Sequence, residues 1–418
     1  MKVLISAFSV SPTGNSEKAV GWNWAIQASR YYDVWVLTTT EHRETILKEL
    51  RDRPRPSLHF VFHRGPKEGF LRSLGRRKHV FFYAEYLLWQ LSAIQAAREL
   101  HLAVGFDVAH HLTWATCRFP SALAWLDVPF IWGPVGGGEA APSSTYDLLN
   151  RRGILGEIAR EISNWVTKFE PLVKHTGARA ARILATTRET MEKLPRDHTS
   201  KAEVYPAIGL SASDIDRELE NHLDLRTDSC DHDSARLLFV GRLLSWKGCD
   251  LAIRAVAHLK QSGVKTSLTV VGDGPERNVL RFLSHKLGVE SQVDFLGEMP
   301  RAEVLNLYRN HDVFLFPSRH DSGGIAVLEA MYLCLPVVCL DLGGPAASVG
   351  DAGIKVQPND TQQIVRDLAK AVERLRCDDG MRQSLTERAR ARVIELYDWD
   401  AKGEHIRHMY ESIATICH

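Results

Sequence analysis

Residues 316–331 of this 418-residue chain are Phe316-Pro-Ser-Arg-His-Asp-Ser-Gly-Gly-Ile-Ala-Val-Leu-Glu-Ala-Met331. The apolar run from Val313 to Phe316 predicts a buried strand, and the end of the stretch has a helical pattern. Two carboxylates, Asp321 and Glu329, lie on either side of the start of that helix. Open α/β sheets bind ligands outside the carboxyl ends of their strands, and free N–H groups at a helix start favour anions. The turn therefore predicts a site that can hold a phosphate beside two carboxylates.

Strand-like and helix-like segments alternate along almost the whole chain, which predicts an α/β protein with parallel sheets. The strand candidates include Val108–His111, Val313–Phe316, Val337–Leu340 and Ile354–Val356. A chain of 418 residues is too long for one ordinary core, so we expect two domains. The acidic stretch 211–234 lacks a core period and is the predicted linker. The expected organisation is a first domain at 1–210, a second domain at 235–398 and a last helix at 399–418.

Charge and cysteine content exclude some classes of protein. The net charge is +1, from 52 basic and 51 acidic side chains, so there is no electrostatic reason to expect a nucleic-acid partner. The seven cysteines show no close metal-type spacing and predict the reduced thiols of a cytoplasmic protein. No metal site is expected.

The stretch 67–97 is the candidate for membrane contact. It joins a basic segment, which ends at Arg76-Arg77-Lys78, to a mostly apolar helical pattern from Val80 to Ala97. Polar residues within that pattern argue against a membrane-spanning helix and favour a buried or amphipathic one. The basic segment is either a solvated loop or a patch that touches an anionic membrane surface. The second alternative would place the protein at the inner face of the membrane.

Two cations follow the strand that ends at Gly241. Arg242 comes directly after this glycine, and Lys247 lies a few residues further on, before Gly248. Arginine offers a fork of donors and lysine a compact charge, so the two could clamp a diphosphate and stabilise a departing nucleotide. Most such side chains are simply solvated, but their position after a strand and between glycines favours a phosphate site. A third glycine turn, at Gly272, is expected to shape the same crevice.

The first half offers three further candidate turns, each with an ordinary alternative. Glycines in the loop 11–21 could let a substrate approach the backbone, or could simply reverse the chain. The three consecutive glycines at 136–138, within the stretch 132–139, allow either a wall of a cleft or a flexible connection. Two adjacent histidines end a strand, where a pair is a better site candidate than a lone histidine. The candidate residues of these turns are Gly14, Glu17, His110, His111, Gly136 and Gly137.

The second half resembles the retaining glycosyltransferases of family 4, which have the GT-B fold. Between Phe239 and Trp399 it carries, in order, Gly-Arg-Leu with Lys-Gly, Val-Gly-Asp-Gly-Pro-Glu, Phe-Leu-Gly, Phe-Pro-Ser with two acids and Leu-Glu-Ala-Met, and Pro-Val-Val. The resemblance implies two Rossmann-like domains that face each other across a cleft. It also implies that the last helix crosses back to the first domain, and that the enzyme needs no bound metal or other cofactor.

The resemblance also assigns roles to residues. Arg242 and Lys247 match the diphosphate-binding pair of the family. Asp321 matches the acid that contacts the donor sugar, and Glu329 the acid that holds the ribose. The rest of the expected donor site is Gly241, Gly272, Gly297, Glu298, Gly323 and Gly324.

Two positions depart from the family pattern. The first acid is usually Glu, and Asp321 is one methylene shorter, which changes its reach by about one carbon–carbon bond. The histidine that many relatives carry is replaced by Leu112, so His111 or His110 is expected to serve instead. We expect a metal-independent transferase that moves a hexose from a UDP- or GDP-sugar to a glycan or lipid-linked acceptor. The alternatives are a catalytically weak sugar-nucleotide-binding subunit, or a phosphorylase or epimerase of the same fold.

Overall fold

The computed structural model describes residues 1–13, 17–66, 79–149, 151–221 and 234–416. The candidate Gly14 and the basic segment 67–78 lie outside these residues. The chain forms two compact units. The first unit comprises Met1–Gly138, Ile162–Gly209 and Trp399–His418, and the second comprises Glu139–Glu161 and Leu210–Asp398.

Thirteen strands are present in the described residues, and all of their pairings are parallel. They are β1 Lys2–Ser6, β2 Asp33–Thr38, β3 Leu58–Phe62, β4 Val108–His111, β5 Phe130–Val135, β6 Arg182–Ala185, β7 Ala202–Val204, β8 Ser234–Val240, β9 Lys265–Val271, β10 Val293–Gly297, β11 Val313–Phe316, β12 Val337–Leu340 and β13 Ile354–Val356. Every residue of β4, β11 and β12 is buried, as expected when helices cover both faces of a parallel sheet.

The described α-helices alternate with these strands. They are α1 Glu17–Ala28, α2 Arg43–Asp52, α3 His79–Val104, α4 Arg151–Thr167, α5 Pro171–Arg179, α6 Arg188–Lys193, α7 Ala212–Asn221, α8 Cys249–Gln261, α9 Arg277–Lys286, α10 Arg301–Arg309, α11 Ile325–Tyr332, α12 Gly343–Val349, α13 Thr361–Cys377, α14 Asp379–Leu396 and α15 Trp399–Ile416.

Each unit is built on one sheet. The first unit has the strand order β3-β2-β1-β4-β5-β6-β7, and the second has β10-β9-β8-β11-β12-β13. In both sheets the chain builds outward in one direction and then returns to build in the other. The order therefore reverses between β1 and β4 in the first unit and between β8 and β11 in the second. The predicted pair of Rossmann-like α/β domains is confirmed.

The last helix, α15, belongs to the first unit, as the family resemblance implied. Ile406, Met409, Tyr410 and Ile413 are all buried, and they join the core formed by β1, β2 and α1. Burial of this apolar stripe is what holds the helix on the first unit.

Two stretches differ from simple expectation. The predicted linker 211–234 contains α7, whose Ile215 is fully buried and whose described part belongs to the second unit. Residues 222–233 lie outside the described part of the chain. The aromatic stretch after residue 79 forms α3, which buries Tyr86 and Trp89 in the core of the first unit. No helix in the described ranges is long and apolar enough to cross a membrane.

Candidate functional site

The loops after β8 and β11 are neighbours because the strand order of the second sheet reverses there. Ligands of open parallel sheets bind in the crevice outside the strand ends at such a switch point. The two segments with the strongest sequence signals, 241–248 and 316–324, are these two loops. Topology therefore brings together residues that are far apart in sequence.

Lys247 and Asp321 meet at this switch point. Lys247 Nζ makes an ion pair with Asp321 Oδ2, and the two side chains are 20% and 17% exposed. The same ammonium lies 5.5 Å from the ring centre of Phe316, a cation–π contact. Gly248 has a φ of 77°, and a Cβ there would overlap the carbonyl oxygen of Pro317. The two loops thus pack backbone against backbone and leave the ion pair accessible.

A buried arginine, Arg319, connects the two loops by hydrogen bonds and was not predicted as a site residue. Arg319 is fully buried and makes two hydrogen bonds to Asp250, at 2.9 and 2.6 Å. It also donates to the carbonyl oxygen of Ser245 at 2.7 Å, and its backbone N–H donates to the carbonyl of Trp246 at 2.7 Å. A paired, hydrogen-bonded charge of this kind is costly to break. It fixes the geometry in which Lys247 faces Asp321.

His320, next to Arg319, makes a second set of contacts that hold this loop in place. Its ring stacks on Trp246, with ring centres 5.3 Å apart. Its Nδ1 lies 3.3 Å from Glu157 Oε1 on α4, and both side chains are 7% exposed. The other oxygen of Glu157 accepts from the backbone N–H of Ala141 at 2.9 Å. The segment before Asp321 is therefore held from two sides within the second unit.

Two features of the switch point remain open to an anion. Arg242 is exposed, and its guanidinium has no ion pair or hydrogen bond within the described ranges. Helix α11 begins after Gly324, which offers no side chain to cap the first turn. Uncapped N–H groups and the helix dipole favour negative charge at that end. Arg242, Lys247 and the start of α11 are together suited to a phosphate group.

Glycines line the carboxyl ends of three adjacent strands. Gly272 has a φ of 117°, and a Cβ there would overlap the carbonyl oxygen of Gly241. Its N–H donates to the carbonyl of Gly297 at 2.7 Å. These close approaches require glycine at Gly272. Glu298, the residue after Gly297, is exposed.

The loop at Gly323 is supported by two glycines that the sequence analysis missed. The N–H of Gly344 donates to the carbonyl of Asp321 at 2.6 Å. A Cβ on Gly343 would lie 2.5 Å from that same oxygen, and a Cβ on Gly344 would lie 2.5 Å from the carbonyl oxygen of Gly323. The start of α12 therefore packs directly against the loop that carries Asp321 and supports it. The available signal was a pair of consecutive glycines, separated by two residues from the end of the predicted strand 337–340.

Glu329 is held inside the second unit. Arg301 donates to its Oε1 from both Nε and Nη2, each at 3.2 Å, and the hydroxyl of Tyr308 donates to its Oε2 at 3.3 Å. Burial raises the pKa of Glu329, and the neighbouring Arg301 opposes that shift. The side chain is 11% exposed. A carboxylate has about four acceptor sites, so these bonds leave room for one more donor.

His110 in the first unit is fully engaged by protein groups. Its Nε2 donates to the carbonyl of Gly133 at 2.6 Å, so its Nδ1 accepts from the hydroxyl of Tyr410 at 2.7 Å. Burial lowers the pKa of His110 to about 3. The ring is therefore neutral near pH 7, and both nitrogens are used. This geometry favours a packing role for His110.

His111 and Glu17 lie near the first unit's own switch point, between β1 and β4. His111 Nε2 is 3.1 Å from the hydroxyl of Tyr86, while its buried Nδ1 has no partner among the described residues. Burial lowers the pKa of His111 to about 3. Glu17 Oε2 accepts from the backbone N–H of Trp114 at 3.1 Å, and burial raises its pKa. Of the two predicted histidines, His111 is the one with a nitrogen to spare.

The glycine loop after β5 is tightly packed within the first unit. Gly136 exchanges backbone hydrogen bonds with Ala115 and Cys117, at 2.9 and 3.0 Å. Gly137 has a φ of 95°, and its carbonyl accepts from Arg118. These bonds indicate an ordered connection rather than a flexible one.

No group of three or more His, Cys, Asp or Glu residues within the described ranges is placed to hold a metal ion. Metal independence was expected from the family resemblance and stays a prediction.

Comparison with known proteins agrees with this geometry. Residues 227–392 match the family model "Glycosyl transferases group 1". Both switch-point loops of the second unit lie within the segment that matches this family model. Solved structures of GT-B glycosyltransferases share the fold of this chain, and the two Rossmann-like α/β domains implied by the resemblance are confirmed.

Two curated relatives and one solved structure illustrate the likeness. Alpha-D-kanosaminyltransferase of Streptomyces kanamyceticus is 27% identical over 65% of this chain and 69% of its own length. D-inositol 3-phosphate glycosyltransferase of Corynebacterium jeikeium is 32% identical over 43% of this chain and only 44% of its own length. The structure of Anabaena Alr3699/HepE in complex with UDP and glucose has a TM-score of 0.58 at 17% identity, over 99% of this chain and all of that one.

Proposed function

We propose that this protein is a retaining glycosyltransferase that moves a hexose from a nucleotide diphosphate sugar to an acceptor hydroxyl. The observation that carries the proposal is the charge at the β8/β11 switch point. There the Lys247–Asp321 pair, the exposed Arg242 and the uncapped start of α11 lie within the segment that matches the group 1 glycosyltransferase model. The complex of HepE with UDP and glucose supports a UDP-sugar, and a GDP-sugar is the other candidate donor.

In the proposed reaction the acceptor oxygen bonds to the anomeric carbon on the face from which the diphosphate leaves. The bond between that carbon and the diphosphate oxygen breaks, and the acceptor proton passes to an oxygen of the leaving phosphate. Arg242 and Lys247 stabilise the charge that develops on the diphosphate, together with the first N–H groups of α11. Asp321 orients the sugar, and Glu329 accepts a hydrogen bond from the ribose. Two cations and a helix start supply the positive charge, so we expect activity without a metal ion.

The names of two relatives bear on the reaction, one through the sugar that it transfers and the other through its acceptor, but they do not choose an acceptor for this chain. One relative is named for kanosamine transfer and another for inositol 3-phosphate. We propose a saccharide hydroxyl, on a glycan or a lipid-linked saccharide, as the acceptor.

A thermal-shift screen against UDP-, GDP-, ADP- and dTDP-sugars tests the donor first, because a selective ligand stabilises the folded state by mass action. A transfer assay with the selected donor then follows, with the anomeric configuration of the product read by NMR. We expect the α configuration of the donor to be retained and EDTA to leave the rate unchanged. An inverted product, or a rate abolished by EDTA, would contradict the corresponding part of the proposal.

A second candidate function is a sugar-nucleotide-binding subunit with weak catalysis. The short acid Asp321, engaged by Lys247, is the observation that favours it. Such a subunit would bind the donor in the same screen yet show neither transfer nor donor hydrolysis. A phosphorylase of this fold would instead require inorganic phosphate. Turnover that depends on added phosphate would therefore distinguish a phosphorylase from the transferase and from the binding subunit.

A further inference from the structure

Helix α4 and the turn after it expose a continuous apolar face. Six large hydrophobic side chains are between 41% and 66% exposed. Their spacing places them on one side of the helix. This surface, called the apolar face below, consists of Leu155, Ile158, Ile162, Trp165, Val166 and Phe169.

The opposite side of α4 is buried and polar. Glu157 is 5% exposed and Asn164 is 1% exposed. Asn164 accepts from Arg118 Nε at 2.9 Å and donates to the carbonyl of Gly138 at 3.3 Å. A helix of a globular protein normally points its apolar side inward. The polar side of α4 has buried hydrogen-bond partners, so the helix is oriented with its polar side inward and its apolar face outward. Exposed apolar patches of this kind mark interaction sites.

The chemistry around the apolar face suits an anionic membrane surface. Trp165 and Phe169 stack edge to face, with ring centres 5.1 Å apart, and Lys174 Nζ lies 5.9 Å from the Phe169 ring centre. Residues 151–179 contain six Lys or Arg against three Asp or Glu, an excess of three, whereas the whole chain has an excess of one. Tryptophan beside basic residues is typical of segments at the membrane–water interface.

The shape of the apolar face fits a membrane better than a second copy of this chain. A stable protein interface buries about 800 Å² and 20–30 residues on each side. The apolar face is a single row of six side chains on one helix. An interfacial helix needs only such a row, and the 17 residues of α4 extend for about 25 Å.

We propose that the apolar face docks this protein on an anionic lipid surface, with α4 lying parallel to the membrane plane. The apolar side chains enter the boundary between headgroups and acyl chains, and the basic residues of 151–179 remain at the headgroups. This docking does not depend on the proposed transferase activity. It is a different surface from the stretch 67–97, whose helical part buries Tyr86 and Trp89 in the core and whose basic segment lies outside the described residues. Membrane contact through 67–97 stays a prediction.

Co-sedimentation of the full chain with phosphatidylcholine vesicles, with and without phosphatidylglycerol, tests the proposal. We expect binding that requires the anionic lipid and weakens as salt rises. The double variant Trp165→Ser/Phe169→Ser should bind at least about tenfold more weakly, because burial of the two rings supplies much of the affinity. Phe282→Ser is the matched control: Phe282 is 67% exposed, close to the 63% of Trp165, but lies on α9, and its loss should leave binding unchanged.

Circular dichroism and thermal melting confirm that the variants fold, and Leu155→Ser/Ile162→Ser provides an independent second pair. Equal vesicle binding by the wild type and both double variants would overturn the proposal, as would no binding at all. If the wild type forms a dimer that both double variants lose, and does not bind vesicles, the apolar face is instead a contact between copies. Transfer to a soluble acceptor should be the same in all variants, which separates this test from that of the proposed function.

Discussion

The two sheets reverse their strand order at equivalent places, β1/β4 and β8/β11, yet the side chains at these places differ in kind. In the second unit, the charges of Lys247 and Asp321 stay accessible and Arg242 is exposed. In the first unit, His110 and His111 are buried and neutral near pH 7. The same topology therefore builds one place suited to hold an anion and another where polar side chains fix the packing. The predictions below test this difference, in order of expected size.

The largest effect should come from the buried arginine that supports the charged place. Arg319→Met leaves Asp250 without its partner and should lower the free energy of unfolding by roughly 3–5 kcal/mol. Arg236→Met is the control, because the Arg236–Asp312 pair is about a third exposed and should cost only about 1 kcal/mol. Urea unfolding measures both. Equal losses of unfolding free energy in the two variants would mean that burial does not make the Arg319–Asp250 pair more stabilising than the partly exposed pair.

Lys247→Ala should lower turnover by about 10²–10³-fold, the effect usual for loss of a group that stabilises charge on the reacting atoms. The control is Lys265→Ala, since Lys265 is exposed at the start of β9, away from the carboxyl ends of the strands. Steady-state rates with the donor selected by the screen measure the effect. Near-normal turnover in Lys247→Ala would contradict the proposal that Lys247 at the switch point stabilises the leaving diphosphate.

The neutral histidines predict a pH dependence of stability. The pKa of His110 falls from 6.5 to about 3 on folding, so below pH 6.5 the unfolded chain takes up a proton that the folded protein does not. Stability is then fully present above pH 6.5 and decreases as the pH falls, by about 2 kcal/mol at pH 5 for each such histidine. His110→Gln should flatten this dependence, whereas His408→Gln, at a 65% exposed side chain, should not. Unfolding curves at pH 7.5 and about pH 5 distinguish the two outcomes.

The smallest predicted effect concerns the Lys247–Asp321 pair. Asp321→Asn removes a negative charge that competes with phosphate for Lys247, so a nucleoside diphosphate should bind about three- to fivefold more tightly while turnover falls. Asp321→Glu keeps the charge and should leave that affinity unchanged. Calorimetric titration measures both. Weaker binding to Asp321→Asn would show that the ion pair does not compete with the ligand.

Much of the fold was predictable because buried parallel strands are continuous apolar runs. Residues 108–111, 313–316, 337–340 and 354–356 were predicted as strands with the bounds that the structure shows. The loop after 313–316 was also identified, because glycines and charges there have no packing purpose in an apolar run, whereas the glycines beyond 337–340 were missed. The family resemblance placed Lys247 and Asp321 in one donor site, but the ion pair between them was not predicted. It depends on which strands are neighbours, and local sequence does not carry that information.

The features that were missed share a physical cause. Arg319 looks like any solvated arginine until its partner Asp250, 69 residues away, is placed beside it. The spacing of Leu155, Ile158 and Ile162 is that of a core-facing helix, and only the contacts of Asn164 show that the polar side faces inward. Burial is decided by what the rest of the chain places against a helix, not by the helix pattern alone.

The central claim is that the β8/β11 switch point binds the diphosphate of a sugar nucleotide. Calorimetric affinities for the selected nucleoside diphosphate and for its monophosphate, in the wild type and in Lys247→Ala, test it most directly. We predict that the wild type prefers the diphosphate by at least about tenfold and that Lys247→Ala largely loses this preference while still binding the monophosphate. An unchanged preference in Lys247→Ala would contradict the account.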